Sequence, residues 1–285
     1  MGSWVARLLG GWVMNLVSKS LIVIAVGMSA IVPIGAQWPS YPSPAVPKTA
    51  DGKPDLKGPV PRTGDGHPDF SGVWAYTRRA GLPPPGRPGA LGQGMTGQFW
   101  DIGTGMSDPI PFQPWAKAVL DKRMADHSKD NPDAHCLPLG IMQLHTHPDP
   151  HRIVQTPGLT VMLWEANTGV RYIYTDGRPL PNNDPQPWYF GYSVGRWEAD
   201  TLVVETIGLR DDGWLDVNGT PSTTAAKITE RFRRPVFGTM TVDVTVDDPK
   251  AYTKPWSVSI EHRLLLNTDL MEFVCQENEK SSQHF

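Results

Sequence analysis

The chain has no block of lysine and arginine. Its 26 basic side chains are set against 29 acidic ones, for a net charge of −3. That argues against a nucleic-acid partner. It also lacks a βαβ rhythm, a Gly-rich phosphate loop and any sign of a second core. A Gly-x-Ser-x-Gly string does occur, at Gly191-Tyr192-Ser193-Val194-Gly195. It lies in a strand arm and not at a strand–helix turn, so the context of a nucleophile elbow is missing. Cysteine is scarce too. Cys136 and Cys275 are the only two, enough for one bridge at most. Charged residues make up 19% and hydrophobic ones 39%, which fits a globular chain and not a disordered one.

Proline, glycine and tryptophan are abundant. The 29 prolines and 28 glycines imply short elements and many connections. Eleven tryptophans favour β architecture or a stacking pocket. Residues 1–36 read as an export signal. Arg7 and Lys19 are their only charges, and the apolar run 21–36 ends in Ile34-Gly35-Ala36. Its sixteen residues fall short of the ~20 that a spanning helix needs. The alternative is a retained anchor; after signal removal none is expected. The expected location is periplasmic or secreted. An oxidising compartment favours a Cys136–Cys275 disulfide over two separate thiols.

Residues 37–61 read as a Pro-rich arm and 62–285 as one domain. Asp51-Gly52-Lys53-Pro54-Asp55 recurs as Asp65-Gly66-His67-Pro68-Asp69. The stretch 81–97 reads as Pro/Gly-rich loop. One helix is expected over 114–126, with Trp115, Val119, Leu120 and Met124 on its buried face. From residue 153 onward, strand follows strand, including one at 271–276. Val170, Tyr172 and Tyr174 face one way and Arg171 and Ile173 the other. The stretch 189–216 reads as a hairpin, with arms 190–194 and 201–207 and a turn built on Gly195, Arg196 and 198–200. The fold class is mainly β: a single antiparallel barrel, lipocalin-like or cupin-like, with one short helix and the Pro-rich N-terminal arm.

Several motifs carry a resemblance. Pro68-Asp69-Phe70-Ser71-Gly72-Val73-Trp74, Arg171-Tyr172-Ile173-Tyr174-Thr175-Asp176-Gly177-Arg178 and Gly195-Arg196-Trp197-Glu198-Ala199-Asp200-Thr201-Leu202-Val203-Val204 are three of them. With Glu230-Arg231-Phe232 and Val274-Cys275, they resemble a large family of secreted bacterial β-rich proteins of unassigned function. This chain has Ala199 where that family usually has Gly, and Leu180 where it often has His. Gly72-Val73-Trp74 is also similar to the Gly-x-Trp signature of lipocalins. That implies a Trp at the barrel end covered by an Arg from the last strands, with Arg263 as the candidate.

Three constellations point to chemistry. Gly140 through His145, His147 and His151 resembles the first cupin motif, with His262 the one histidine available as a late ligand. Two histidines at i, i+2 on a strand would share a face, and His145, His147 and His151 would hold a divalent transition metal such as Zn or Fe. The alternative is an exposed Pro/His turn. Second, Asp211, Asp212 and Asp216 flank Trp214. Carboxylates in a pocket split into an acid and a base. Asp216 is the better candidate; the alternative is a solvated turn. Third, Arg171 and Arg231 would orient an anion or form structural ion pairs.

The expected function is therefore an interior pocket for a small, partly apolar or aromatic molecule. Asp216, His147, Arg171 and Arg231 are the catalytic candidates. Trp214, Tyr174, Trp164 and Asp212 are the ligand-binding ones. The chemistry expected is of lyase, hydratase, isomerase or hydrolase type. The alternatives are a lipocalin-like carrier, a cupin-like metal enzyme and a structural envelope protein.

Overall fold

Nine strands close into a barrel in chain order, β1-β2-β3-β4-β5-β6-β7-β8-β9, with β9 returning to β1. They are β1 (Gly72–Thr77), β2 (His151–Thr156), β3 (Leu159–Trp164), β4 (Val170–Tyr174), β5 (Tyr192–Glu198), β6 (Thr201–Ile207), β7 (Lys227–Val236), β8 (Thr239–Asp247) and β9 (Trp256–Leu265). The computed structural model describes residues 41–43, 45–78, 97–181 and 186–275. The export segment 1–36, the first residues of the 37–61 arm and most of the 81–97 loop lie outside the described residues.

Nine is odd, and that has a consequence. A closed ring of nearest-neighbour strands can be antiparallel throughout only if their number is even. One pair must therefore run parallel, and it is β4 with β5. Its register covers two pairs, Ile173↔Ser193 and Tyr174↔Val194. The expectation of an antiparallel barrel holds everywhere except at this seam. Parallel neighbours need a long crossover. Here the chain leaves β4 at Tyr174 and re-enters the sheet at Tyr192.

Alternation sets the inward faces. Ile228, Glu230 and Phe232 point inward from β7. Met240, Val242, Val244 and Val246 do so from β8, and Val258, Ile260 and His262 from β9. The β5–β6 hairpin turns on two residues, Ala199 and Asp200, because Gly195 and Arg196 belong to β5. Ala199 sits at φ 51°, in the left-handed region that favours glycine. Glycine would take this φ without strain.

Among the described residues, two α-helices accompany the barrel. α1 (Pro114–Ala125) turns Ala116 fully inward. Trp115 is not on that face; it is exposed and its indole N–H donates to the Lys250 carbonyl at 2.7 Å. α2 (Ile141–Thr146) stands where the histidine motif was read as a strand or an exposed turn, and all six of its residues are buried. Its entry is fixed by a close approach: a Cβ on Gly140 would lie 2.9 Å from the Trp214 carbonyl oxygen. From there α2 reaches inside the barrel, where His145 meets side chains from β2, β3, β7 and β9.

The repeat copies fold alike. Thr49 N–H donates to the Lys53 carbonyl and Thr63 N–H to the His67 carbonyl, both at 2.9 Å. The first copy packs on the β7–β8 turn through Gly238 N–H, which donates to the Leu56 carbonyl. The residues expected to form a strand at 271–276 do not pair into the sheet; those described, up to Cys275, are irregular. Cys275 nevertheless bonds Cys136, 139 residues away in sequence. The bridge therefore ties the segment after β9 to the turn after the short 3₁₀ helix Pro132–His135. A loop that long is worth about 4–5 kcal/mol in the chain-entropy model. No helix among the described residues is long and apolar enough to cross a membrane.

Candidate functional site

The barrel interior holds a polar centre inside an otherwise apolar core. Arg171, inward on β4, pairs with Glu230, inward on β7, through both guanidinium ends; Nη1 donates to Oε1 at 2.9 Å. Its Nε donates to Ser193 Oγ at 3.1 Å and its Nη2 to Thr206 Oγ1 at 2.8 Å. Ser193 and Thr206 bond each other at 2.9 Å. His145 Nε2 lies 2.7 Å from Glu230 Oε1. Burial would raise the Glu230 carboxyl, but the Arg171 charge and the hydrogen bonds from Arg171 and His145 outweigh it and hold it at about 2. Glu230 is therefore an anion at neutral pH. An anion accepts only, so His145 Nε2 carries its proton.

Two more histidines complete the centre. The ring centroids of His151 and His262 are 5.0 Å apart, and those of His145 and His262 5.6 Å. His262 Nε2 lies 2.9 Å from the His145 carbonyl oxygen, so it too carries its proton on Nε2. Burial, then the neighbouring histidines, push His151 well below its ordinary range. Burial, then His145, push His262 down to about 3. Among the described residues, His145 Nδ1, His151 Nε2, His262 Nδ1 and Trp164 Nε1 have no partner. Leaving a buried polar atom unpaired costs about 1–3 kcal/mol. So many in one neighbourhood is an arrangement that folding alone does not favour.

The residues expected from sequence scatter. Arg171 and Trp164 are in the centre, as are His145 and His151. His147 is not. α2 ends at Thr146, so His147 turns away from His145 toward Phe99, 5.1 Å between centroids, and Asp149. His262 occupies the place given to His147. Among the described residues no group of three or more His, Cys, Asp or Glu is arranged to hold a metal ion. Arg231 has the opposite parity to Glu230; it points out of the barrel and pairs with Glu198 at 2.7 Å. Tyr174 faces outward beneath Arg178, and Asp212 pairs with Arg210 at the surface. Trp214 is buried under Arg123, whose guanidinium lies 4.4 Å from the ring centroid.

Asp216 is fully buried, yet far from this chemistry in role. Its oxygens accept from Ile102 N, Gly219 N, Thr220 N and Thr220 Oγ1 at 2.7–2.9 Å. It stitches the loop after β6 to the segment before α1. Burial pushes it up to about 6 against the pull of those donors. Asp216→Ala would strand four buried donors. We expect a loss of about 3–5 kcal/mol in urea unfolding, visible at any pH where the protein folds. A stable, fully folded Asp216→Ala would contradict this reading.

Glu230, Ser193 and Thr206 were not picked out as site residues from sequence, and His262 only as an available late metal ligand, although Glu230 and His262 both carry a signal. On β7 the glutamate falls in phase with Ile228 and Phe232, and on β9 the histidine falls in phase with Val258 and Ile260. A charged or titratable residue on the apolar parity of a strand marks an inward polar group. The lipocalin-style expectation also shifts by two strands. Trp74 is covered by Arg234 of β7, 5.0 Å from the ring, while β9 turns Arg263 outward.

Comparison with known proteins gives no assignment: no family model, no curated protein and no solved structure matches this chain.

Proposed function

We propose that the chain is an exported small-molecule enzyme that moves a proton with His145. The observation that carries this is the line His145–Glu230–Arg171. Glu230 fixes the imidazole with its proton on Nε2 and leaves the Nδ1 lone pair free in the barrel interior. That orientation is what a general base requires. When Nδ1 takes a proton, Glu230 stabilises the imidazolium without accepting a proton itself, because Arg171 holds it ionised. Trp164, Phe232 and the barrel wall supply an apolar surround. The reaction types that fit are elimination, hydration, isomerisation and hydrolysis. The export reading rests on residues 1–36 and is supported by the disulfide. Membership of the secreted β-rich family is part of the same proposal, carried by the motifs of β1, β4 and β5–β6.

A base in an apolar surround can be probed without knowing the natural substrate. In 5-nitrobenzisoxazole, removal of the C3 proton breaks the ring N–O bond and yields a cyanonitrophenolate. His145 Nδ1 would take that proton. We expect turnover above buffer for the wild-type protein, and at least a hundredfold loss for His145→Ala with an unchanged circular dichroism spectrum. A wild-type rate equal to buffer, or an unaffected variant, would sink the proposal.

A second reading has one specific observation behind it. His145 and His262 both have the ring N–H tied off by an oxygen, the usual outer support of metal-ligating histidines. Their Nδ1 atoms and His151 Nε2 would be the ligands, though they are not gathered for it in this structure. Cobalt(II) titration separates the two. The base reading predicts no protein-bound visible bands, and the metal reading predicts them at one equivalent.

A further inference from the structure

A cavity of 460 Å³ opens on the outside of the barrel at the parallel β4–β5 seam. Volumes of this size suit a small molecule. The seam explains it. β4 and β5 share only two register pairs, and the stretch 186–191 lies beside them. The stretch 186–191 is stitched to the end of β6: Trp188 N–H donates to the Gly208 carbonyl and Arg210 N–H to the Trp188 carbonyl. Gly191, at φ 57°, makes this approach feasible, since a Cβ there would lie 2.5 Å from the Ile207 carbonyl oxygen. One wall is thus this stitched segment and the other is the outer face of β4.

Three features of the cavity bear on its use. Six aromatic side chains line it: Tyr172, Tyr174, Trp188, Tyr189, Phe190 and Tyr192. Trp188 and Tyr172 are 55% and 52% exposed, a large apolar surface left in water on a rigid strand and a stitched loop. The charge in the wall is neutralised locally. Arg210 lies 4.5 Å from the Tyr189 ring centroid and pairs with Asp212. Arg171 and Ser193, whose side chains turn inward to the buried centre, also border it. Phe190 reaches both regions. It lines the cavity and stacks on Trp164 at 6.1 Å, and Trp164 lies 6.2 Å from His145 and 5.9 Å from His151.

We propose that this cavity is the mouth of the histidine centre, that it takes a flat, uncharged aromatic molecule, and that Phe190 is the partition between mouth and centre. This rests on the proton-transfer reading above. Stacking walls select a planar ring, and the locally paired charge gives no preference for an ion. Arg171 turns inward and spends its donors on Glu230, Ser193 and Thr206, so it offers an anion in this cavity little.

The test uses two probes and one surface variant, Tyr172→Ala/Trp188→Ala, which touches exposed side chains and should fold. For 2-naphthol, measured by calorimetry at pH 7, we expect at least a tenfold weaker Kd in the variant and no change in His145→Ala. For 5-nitrobenzisoxazole we expect KM to rise at least tenfold in the variant with kcat within twofold. Unchanged Kd and KM in the variant would overturn the proposal while leaving His145 as the base. So would tighter binding of the neutral sugar methyl β-glucoside than of 2-naphthol at this site. If the wild type binds 2-naphthol as expected but turns over nothing, the cavity stands as an aromatic-binding site, and the proton-transfer reading and the role of mouth fall together.

Discussion

Arg171→Met is expected to destabilise the protein by about 3–5 kcal/mol, the usual penalty for breaking a buried ion pair from one side. The guanidinium is 1% exposed and donates to Glu230, Ser193 and Thr206. Its loss leaves the Glu230 carboxylate buried with His145 as its remaining hydrogen-bonding partner. The opposite change, Glu230→Met, strands Arg171 in the same way. Replacing both, Arg171→Met with Glu230→Met, removes the pair and its desolvation together. The double variant should recover much of what either single variant loses, although proton transfer should not return. Urea unfolding of the three variants gives the coupling directly. Additive losses in the double variant would mean that the two residues do not act as a pair.

The acid limb of stability is the second large effect. His262 binds a proton only near pH 3 when folded, against 6.5 ordinarily. The unfolded chain therefore takes up a proton first. Its contribution to stability is complete above pH 6.5 and falls as the pH drops toward 3. The slope is about 1.4 kcal/mol per pH unit for one such group. His151 is shifted in the same direction and adds to it. Asp216, raised to about 6 in the fold, works the opposite way between 6 and 3.8 and offsets part of the loss. Below pH 4.5 Glu230 joins the histidines, since its folded value near 2 is lost as a stabilising difference toward pH 2. His262→Gln keeps a donor for the His145 carbonyl and cannot titrate. Between pH 6.5 and 4.5 it should flatten the dependence by about 1.4 kcal/mol per pH unit. An unchanged slope would mean that His262 is not buried neutral.

How much of this is legible in the sequence differs by level. Period-two alternation in β4, β7, β8 and β9 is visible residue by residue, and so the barrel is too. The parallel seam is not, because it follows from the strand count around a closed ring, which no local pattern carries. α2 was hidden for a related reason. Its six residues sit wholly inside the fold, so they show no amphipathic period, and the His-x-His spacing suggested a strand instead. Arg171 could be placed because its neighbours Val170 and Tyr172 alternate clearly. Glu230 and Arg231 are adjacent, and only parity tells the inward one from the outward one. Asp216 was correctly expected to be buried, but burial alone did not separate a reacting carboxylate from one that ties two loops together. The hydrogen bonds from Ile102, Gly219 and Thr220 make that distinction.

The most direct measurement is a long-range proton–nitrogen NMR correlation of the histidine rings at pH 7, with and without the unreactive 3-methyl analogue of 5-nitrobenzisoxazole. Histidine as a base at the end of an ion pair predicts His145 with a protonated Nε2, an unprotonated Nδ1, and an Nδ1 signal that moves when the analogue is added. A protonated Nδ1, or one that the analogue leaves untouched, would contradict the account.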